Sequence, residues 1–310
     1  MALVEYDLFG QKRDKVQTTI DRLRAFEPKD GYYVADSGGK DSSCVVKLCE
    51  MAGVKFDAHY NATTIDPPQL VRFIRQNHPK TEIEKPEYTM RELIVKKQMP
   101  PTRLMRYCCQ HLKELHGKGR VVVTGVRWAE SWNRKNNQGL VTFTTASKEL
   151  NNAADLSGAE PNRTSKNGLI LNTDNDESRR MVEMCYRTHK TLVNPIIDWT
   201  DEDVWEFIRL CNVPYCELYD CGFKRLGCVA CPLGGSTSMQ RELEFFPQFK
   251  KFYIRTFDEM LDARRKAGKS INRHWTDGES VLRWWVGKGG ESKDELQLWI
   301  FDETEKKTDG

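Results

Sequence analysis

Two groups of residues in this chain have types and spacings that can do chemistry. The first is Ser37-Gly38-Gly39-Lys40-Asp41-Ser42-Ser43, which follows the apolar stretch Tyr32-Tyr33-Val34-Ala35 and precedes an apolar-periodic segment at 44–48. This order predicts a strand, a glycine turn and a helix. Two glycines let the backbone approach an anion closely, and the start of the helix directs N–H groups at that anion. The first group therefore predicts a phosphate or pyrophosphate site.

The spacing of this turn differs from that of the Walker A loop. The Walker A pattern requires G-x-x-x-x-G-K-[ST], whereas Lys40 is followed by Asp41 and no glycine lies five residues before Gly39. We therefore do not expect a kinase- or ATPase-type loop that holds a leaving γ-phosphate. A turn that merely caps a helix is the alternative, and the combination of lysine, aspartate and three serines favours the anion site.

The second group is four cysteines. Cys108 and Cys109 are adjacent, and Cys228 and Cys231 form a Cys-x-x-Cys pair. Four thiolates can hold either zinc or a 4Fe–4S cluster. Adjacent ligands suit a small tetrahedral ion poorly, so the Cys108–Cys109 pair favours the larger cluster.

The composition agrees with a metal-binding role for some of the ten cysteines. The amino-terminal residues lack the pattern of a signal peptide, and no apolar run approaches the length of a membrane span. We therefore expect a cytoplasmic protein, in which cysteines serve as metal ligands or buried thiols more often than as disulfides. The net charge of +3 gives no argument for a nucleic-acid partner by itself.

The elements that must position these groups are predicted by hydrophobic periodicity. Within residues 1–135, strands are predicted at 31–36, 54–61 and 120–125, and helices at 14–26, 67–77 and 105–115. Alternating strands and helices predict an α/β fold with a doubly wound, mostly parallel sheet and helices on both faces. Ligands of such sheets bind beyond the carboxyl ends of the strands. We therefore expect the glycine turn, the turn at 61–64 and the segment 125–127 to converge on one site.

The remainder of the chain is predicted to consist of two further parts. Polar residues dominate 136–180, which predicts an inserted polar loop or lid with a short hairpin at most. Residues 181–310 are expected to complete the core and to carry the Cys-x-x-Cys segment and a helical C-terminal region. Thr200 is a predicted helix N-cap, and 239–267 has the pattern of one or two amphipathic helices.

Several motifs resemble known families. Ser-Gly-Gly-Lys-Asp-Ser resembles the PP-loop of the N-type ATP pyrophosphatases. Arg106-Tyr107-Cys108-Cys109, the Cys-x-x-Cys pair, the segment 194–200 and the segment from Gly125 to Arg134 are similar to the PAPS reductase family. The resemblance covers about residues 30 to 235. It implies an adenine nucleotide α-hydrolase-like fold, a loop that grips the β,γ-pyrophosphate of ATP, and a 4Fe–4S cluster.

The resemblance also implies roles for particular residues. Ser37, Gly38, Gly39, Lys40, Asp41 and Ser42, with Thr63 and Gly125, are expected to bind ATP, and Cys108, Cys109, Cys228 and Cys231 to hold the cluster. The catalytic set is expected to be Lys40, Asp41, Arg127 and Arg134. Asp41 would place Mg²⁺, the two arginines would hold an anionic substrate or the α-phosphate, and Glu130 would orient Arg127.

Two departures from the reductases direct the functional prediction. Their C-terminal tail carries a cysteine, and this sequence has none after Cys231; it also has the insertion at 136–180. The chain is therefore more similar to the phage- and DNA-phosphorothioation-type members. For these, the resemblance implies ATP-dependent adenylation of a substrate for sulfur insertion. The sulfur donor would be a cysteine desulfurase or free sulfide, and the acceptor DNA or tRNA.

Two other functions stay open from the sequence. One is a reductase of adenylylsulfate or phosphoadenylylsulfate that yields sulfite. The other is a nucleotide-dependent subunit that binds nucleic acid without catalysis.

Overall fold

The computed structural model describes residues 3–6, 10–114, 116–144, 148–165 and 168–287 of the 310-residue chain. The chain divides into two compact units. The first unit is Met1–Asn61, Gln69–Glu84 and His116–Leu226, and the second unit is Ala62–Pro68, Lys85–Leu115 and Gly227–Gly310. The glycine turn belongs to the first unit and the four cysteines belong to the second.

The strands all lie in the first unit. They are β1 (Val4–Tyr6), β2 (Lys12–Asp14), β3 (Tyr32–Ala35), β4 (Phe56–Asn61), β5 (Glu82–Glu84), β6 (Val121–Val123), β7 (Val141–Phe143), β8 (Arg163–Ser165), β9 (Gly168–Leu171) and β10 (Thr191–Val193). β1 and β2 form an antiparallel pair, and the other eight form one sheet in the order β5-β4-β3-β6-β10-β7-β9-β8.

The parallel part of the sheet runs from β5 to β10. β3 pairs in parallel with β4 on one side and with β6 on the other, and β6 pairs in parallel with β10. All three residues of β6 are buried, as is usual for parallel strands that are covered on both faces. The mostly parallel α/β sheet predicted from the sequence is confirmed.

The segment 136–180 is not the polar loop that its composition predicted. β7 adds to the sheet antiparallel to β10, β9 pairs antiparallel with β7, and β8 forms the edge. These strands have only three or four residues each. Such short runs between Asn-, Ser- and Thr-rich turns give little periodic signal. β7 joins the sheet through β10, a partner strand about fifty positions further along the chain.

The helices connect these strands and build the second unit. They are α1 (Lys15–Ala25), α2 (Lys40–Ala52), α3 (Pro68–Asn77), α4 (Met90–Lys97), α5 (Tyr107–Leu112), α6 (Trp132–Asn137), α7 (Lys148–Ser157), α8 (Asp176–Cys185), α9 (Asp201–Leu210), α10 (Ser236–Phe245), α11 (Pro247–Lys266) and α12 (Gly278–Val286). Thr200 caps α9 in a reciprocal capping box with Asp203, which confirms the predicted helix start.

The second unit consists of α4, α5 and α10–α12 with their loops. Trp285 on α12 packs against Tyr253 and Phe257 on α11, with ring centroids 4.7 and 5.4 Å apart. Its indole Nε1 donates to the carbonyl of Pro101 at 2.6 Å. The predicted long amphipathic stretch at 239–267 is two helices, which meet where Pro247 begins α11. Within the described ranges, no helix combines the length and the apolar character needed to cross a bilayer.

Candidate nucleotide and cysteine sites

The glycine turn between β3 and α2 is held by one buried carboxylate. Asp36 accepts hydrogen bonds from the backbone N–H of Gly38 at 2.9 Å and from the hydroxyl of Ser42 at 3.3 Å. Its second oxygen accepts from His78 at 2.5 Å and from Thr81 at 2.9 Å. Burial by itself would raise the pKa of Asp36, but the hydrogen bond and charge of His78 and the bonds from Gly38 and Thr81 lower it. The ionised carboxylate therefore fixes the shape of the turn.

Glycine is required at two points of this site. Gly38 has φ +67°, and an added Cβ would lie 2.6 Å from the Ile74 side chain. At Gly125, which follows β6, an added Cβ would lie 2.9 Å from the backbone carbon of Asp41. The missing side chain lets the segment after β6 approach the first turn of α2. The predicted convergence of the glycine turn and the segment 125–127 is therefore seen in the structure.

The start of α2 presents its backbone without a side-chain cap. Gly39 is the N-cap residue and has no side chain to bond the first-turn N–H groups. The N–H of Lys40 donates to the hydroxyl of Tyr219 at 2.9 Å. The Ser37 and Ser42 hydroxyls lie 3.2 Å apart, and Ser37 is exposed. The N–H groups of Gly38 and Lys40 already have partners, so the turn suits an anion mainly through the exposed Ser37 hydroxyl and the positive end of α2.

Four charged side chains surround the start of α2, and we refer to Lys40, Asp41, Arg127 and Asp201 as the charged quartet. The amine of Lys40 lies 3.1 Å from Asp41 and 3.0 Å from Asp201. Arg127 donates from Nε to Asp41 at 2.7 Å and from Nη2 to Asp201 at 2.6 Å. Each acid thus contacts both cations, and the quartet carries two positive and two negative charges.

Ion pairing favours the charged forms of Arg127 and Asp201, whereas burial opposes them. Arg127 is 2% exposed, whereas the Asp201 side chain is 70% exposed. Burial would raise the pKa of Asp201, and the hydrogen bonds and charges of Arg127 and Lys40 lower it. Burial would lower the pKa of Arg127, and its two acids raise it. The cations are positioned in advance, and the exposed Asp201 leaves one side of the quartet open to solvent.

Arg134 lies apart from the bonds within the quartet. Its guanidinium pairs with Glu130 at 3.2 Å. Glu130 also accepts from the backbone N–H of Arg127 at 3.3 Å, so its contact with Arg127 is to the backbone. The Arg127 side chain is oriented by Asp41 and Asp201. Burial, together with the charges of Arg225 and Arg127, lowers the pKa of Arg134 against the opposing effect of Glu130.

The Cys-x-x-Cys segment of the second unit is held by hydrogen bonds along its backbone. The N–H of Val229 donates to Ile65 at 2.9 Å, and the hydroxyl of Tyr253 donates to the carbonyl of Val229 at 2.9 Å. The N–H of Ala230 donates to Glu242 at 2.6 Å. Ala230 has φ +57°, a conformation that non-glycine residues seldom adopt. These bonds fix the loop between Cys228 and Cys231 in a tight left-handed turn.

The other two cysteines belong to α5 in the same unit, and all four thiols interact. A hydrogen bond with Cys109 raises the pKa of Cys108. Burial and the charges of Cys228 and Cys231 also raise this pKa. The same bond, with Arg106 and Lys113, lowers the pKa of Cys109 against its burial. Positive neighbours favour thiolates, which are the form that binds metals. All four are half-buried free thiols.

Cys228 has two polar neighbours of its own. Its Sγ lies 3.4 Å from the Thr63 hydroxyl. Burial raises the pKa of Cys228, and the charge of Lys113 and the Thr63 hydrogen bond oppose that rise. Thr63, expected at the ATP site, is therefore found beside a cysteine of the second unit.

Across the described ranges, no three or more His, Cys, Asp or Glu side chains are grouped so as to hold a metal ion.

The structure brings together most of the predicted site residues of the first unit. Ser37, Gly38, Gly39, Lys40, Asp41, Ser42, Gly125 and Arg127 meet at the start of α2. Three residues with a structural part in this site were missed: Asp36, Asp201 and Tyr219. Asp201 directly follows the N-cap Thr200, a position where acidic residues are common in helices. Its bond to Lys40 spans 161 sequence positions, and no local pattern reveals such a contact.

Comparison with known proteins identifies the family. The family model for the phosphoadenosine phosphosulfate reductase domain matches residues 31–233, which is more than half of the chain. The chain belongs to this family. The matched range begins just before β3, the strand that leads into the glycine turn, and ends just after the Cys-x-x-Cys pair. It therefore includes both candidate sites.

Individual relatives match over shorter stretches. An uncharacterized protein of Methanocaldococcus jannaschii is 33% identical over 114 residues, which is 36% of this chain and 24% of that protein. The adenosine 5'-phosphosulfate reductase of Oceanobacillus iheyensis is 39% identical over 56 residues, which is 18% of this chain and 20% of that protein. The chain thus spans about a quarter or less of the length of these curated relatives.

Two solved structures are similar at low identity. A phosphoadenylyl-sulfate reductase from Candida auris has a TM-score of 0.41 and 18% identity, covering 68% of this chain and 88% of that one. A U34-tRNA thiolase from Methanococcus maripaludis, solved with its 4Fe–4S cluster, has a TM-score of 0.39 and 13% identity, covering 84% of this chain and 82% of that one.

Proposed function

We propose that this protein is a PP-loop ATP pyrophosphatase that adenylates a substrate so that sulfur can be inserted. The observation that carries the proposal is the charged quartet beside the uncapped start of α2. It supplies two fixed cations and two carboxylates at a glycine turn. Cations neutralise a leaving pyrophosphate, and Mg²⁺ sites typically combine one or two carboxylates with phosphate oxygens.

The first step is an attack on the α-phosphorus of ATP. A substrate oxygen forms the new bond to phosphorus, the bond between the α-phosphorus and the bridging oxygen to the β-phosphorus breaks, and pyrophosphate leaves with the electron pair. Catalysis then requires positioning and charge neutralisation rather than a protein nucleophile. Gly38 to Asp41 and the Ser37 and Ser42 hydroxyls bind the pyrophosphate, and Lys40 offsets its charge.

The two carboxylates of the quartet, Asp41 and Asp201, are suited to bind Mg²⁺. Asp41 and Asp201 share Lys40 and Arg127 as partners. These two carboxylates would hold Mg²⁺, which would supply charge neutralisation for the pyrophosphate, and Lys40 would contact a phosphate oxygen. Arg127 stays in place because it is buried and also donates to the carbonyl of Trp199 at 3.2 Å. Arg134 and Gly125 complete the proposed site.

The second step replaces the activated oxygen by sulfur. Sulfide attacks the atom that carries the adenylated oxygen, which is a base carbon in tRNA or the backbone phosphorus in DNA. The bond from that atom to the oxygen breaks, and AMP leaves with the oxygen. With free sulfide the sulfur already has the required oxidation level, so neither an electron donor nor an electron acceptor is needed. Sulfur from a cysteine desulfurase arrives as a persulfide, and a dithiol must supply two electrons, becoming a disulfide, to release it as sulfide. Free sulfide or a cysteine desulfurase is the proposed donor, and DNA or tRNA is the proposed acceptor, as in the phage- and phosphorothioation-type members.

Cys108, Cys109, Cys228 and Cys231 are the proposed ligands of a 4Fe–4S cluster. Such a cluster, when bound, supplies iron that can bind sulfide. Arg106 and Lys113 offset the negative charge of the thiolates, and the Thr63 hydroxyl bonds Cys228. The hydrogen-bonded turn at Val229 and Ala230 keeps the second pair of ligands in place.

The family match favours a second candidate, the reduction of adenylylsulfate or phosphoadenylylsulfate to sulfite. That reaction releases no pyrophosphate. It would therefore leave the two carboxylates of the quartet without a magnesium-bound pyrophosphate as a ligand. A nucleotide-dependent subunit without catalysis is a third candidate, and the intact turn argues against it.

The experiment is anaerobic incubation of the purified protein with α-labelled ATP, sulfide, and either total tRNA or denatured DNA. Labelled AMP and pyrophosphate support the proposal when they disappear in Lys40→Ala. A parallel reaction receives adenylylsulfate and a dithiol. Sulfite there, with ATP unconsumed in the first reaction, would overturn the adenylating function in favour of the reductase.

A further inference from the structure

One aromatic side chain close in sequence to the charged quartet is unusually exposed. Trp132, the first residue of α6, is 77% exposed. Large aromatic side chains normally bury most of their surface. The short helix itself is anchored, because Ser131 caps it by accepting from the N–H of Arg134 at 3.2 Å. The ring is therefore presented to solvent by an ordered element.

Two exposed cations lie on or beside the helix that carries Trp132. Lys135 lies three positions after Trp132 and so shares its face of the helix. Arg163 of β8 donates to the carbonyl of Asn136 on α6, which brings a second exposed cation to the helix. We refer to Trp132, Lys135 and Arg163 as the α6 patch.

The opposite side of α6 faces the nucleotide site. Arg134 is offset by two positions from Trp132, which places it on the other side of a helix with 3.6 residues per turn. It interacts electrostatically with Arg127 and Asp41 of the quartet and with the exposed Arg225. Of Arg134 and Arg225, it is Arg134 that forms an ion pair with Glu130. A repelling arginine pair next to the quartet suits an anionic group of a bound substrate.

We propose that the α6 patch and the Arg134–Arg225 pair bind an unpaired stretch of nucleic acid, with one base stacked on Trp132. Lys135 and Arg163 contact the backbone phosphates of the neighbouring nucleotides, and Arg134 and Arg225 hold the phosphate next to the nucleotide that enters the adenylation site. Single-strand binding surfaces combine aromatic stacking platforms with cations in this way. The inference rests on the proposed function, since it names the class of acceptor for the same site.

Binding is measured without ATP, so that it is independent of catalysis. The full-length protein is titrated into fluorescein-labelled oligouridine, oligothymidine and a duplex of the same length, and anisotropy is recorded at several salt concentrations. We expect both single strands to bind more tightly than the duplex. Trp132→Ala should weaken single-strand binding roughly 10-fold, and Trp132→Phe should retain most of it. Lys135→Gln should reduce the salt slope by about 0.7.

Matched variants test the specificity of these effects. Tyr6 is also a largely exposed aromatic residue of the first unit, at 70% exposure, and Arg179 is an exposed arginine of α8 paired with Asp176. Tyr6→Ala and Arg179→Gln should bind as the wild type does. Equal affinity of Trp132→Ala and wild type, or equal affinity for duplex and single strands, overturns the proposal.

The two proposals fail in different ways. Pyrophosphate release by Trp132→Ala at the wild-type rate with each single strand would overturn the α6 patch and leave adenylation standing. Tight single-strand binding that requires Trp132, without any pyrophosphate release, would overturn adenylation and support the patch as a binding surface.

Discussion

Arg127 and Asp41 are joined by a hydrogen bond of 2.7 Å, from Nε to Oδ1, although 86 positions separate them in the sequence. The contact ties the segment after β6 to the first turn of α2. Gly125 permits it by leaving room for the Asp41 backbone. The glycine turn is therefore shaped from both sides before any ligand binds, which is how a precise anion site is built.

Removal of Arg127 should destabilise the first unit. Arg127→Met leaves Asp41 and Asp201 without their buried cation, and we expect a loss of about 1–3 kcal/mol in the free energy of unfolding by urea. The loss stays below the usual range for a fully buried pair because Asp201 is largely exposed. Arg180→Met, which removes an exposed arginine paired with Glu177, should change it by less than about 0.5 kcal/mol.

The same site allows a double-mutant test. Arg127→Met combined with Asp41→Asn should recover part of the loss, because the second change removes one of the stranded charges. Strictly additive losses would show that Arg127 stabilises the fold by packing alone.

Crowding at the glycine turn can be separated from backbone strain. Gly38 and Gly53 have nearly the same φ, +67° and +68°, but an added Cβ meets the Ile74 and Leu70 side chains at Gly38 and nothing within 4 Å at Gly53. Gly53→Ala should cost about 1 kcal/mol from conformation alone. Gly38→Ala should cost about 1–3 kcal/mol more from overpacking and should weaken ATP binding, as measured by calorimetry. Equal effects of the two variants would contradict the packing seen at the turn.

Asp36 should make stability depend on pH in the acidic range. Its pKa in the folded protein is lowered, so its contribution is complete above the ordinary Asp value of about 3.9 and is lost as the pH falls through that value toward the folded pKa. Asp36→Asn should therefore be clearly less stable than wild type at pH 7, and the difference should shrink at pH 3. Urea unfolding at both pH values measures it.

A surface carboxylate gives the control for this pH effect. Asp21 is exposed on α1, and Asp21→Asn should show little difference from wild type at either pH. A difference for Asp36→Asn that is the same at pH 7 and pH 3 would mean that folding leaves the pKa of Asp36 unchanged, which would contradict the lowered pKa.

The four cysteines should bind iron as a unit. After anaerobic reconstitution we expect about four iron atoms per chain and a broad visible absorbance. Serine at Cys108, Cys109, Cys228 or Cys231 should reduce the bound iron to less than half. Cys221→Ser is the matched control, since Cys221 is an exposed cysteine of the first unit. Stoichiometric zinc, or full iron content in Cys228→Ser, would contradict the cluster.

The sequence allowed the parallel half of the fold and the glycine turn to be predicted, because their signals are local. The predicted first strand, 31–36, contains β3, and the predicted helix at 14–26 contains α1, whose N-cap Asp14 accepts from Val16 and Gln17. Apolar runs next to glycine turns and capping residues indicate such elements directly.

Features that depend on distant partners escaped prediction. The apolar runs at β7 and β9 indicated no more than a short hairpin, because neither run shows that β7 also pairs with β10 and so extends the main sheet. Asp201 looks like an ordinary first-turn acid, yet it bonds Lys40 and Arg127. The position of Thr63 beside Cys228 was also not predicted. The end of a strand predicts a ligand site, but it does not show that the loop after β4 belongs to the second unit.

The most direct test of the central claim is the exchange of labelled pyrophosphate into ATP, with tRNA or denatured DNA as the acceptor. Reversible attack on the α-phosphorus predicts label in ATP. Lys40→Ala should lower the exchange about 100- to 1,000-fold, whereas Lys47→Ala, an exposed lysine of the same helix paired with Glu50, should leave it unchanged. Formation of ADP and phosphate without exchange, or exchange that persists in Lys40→Ala, would contradict the account.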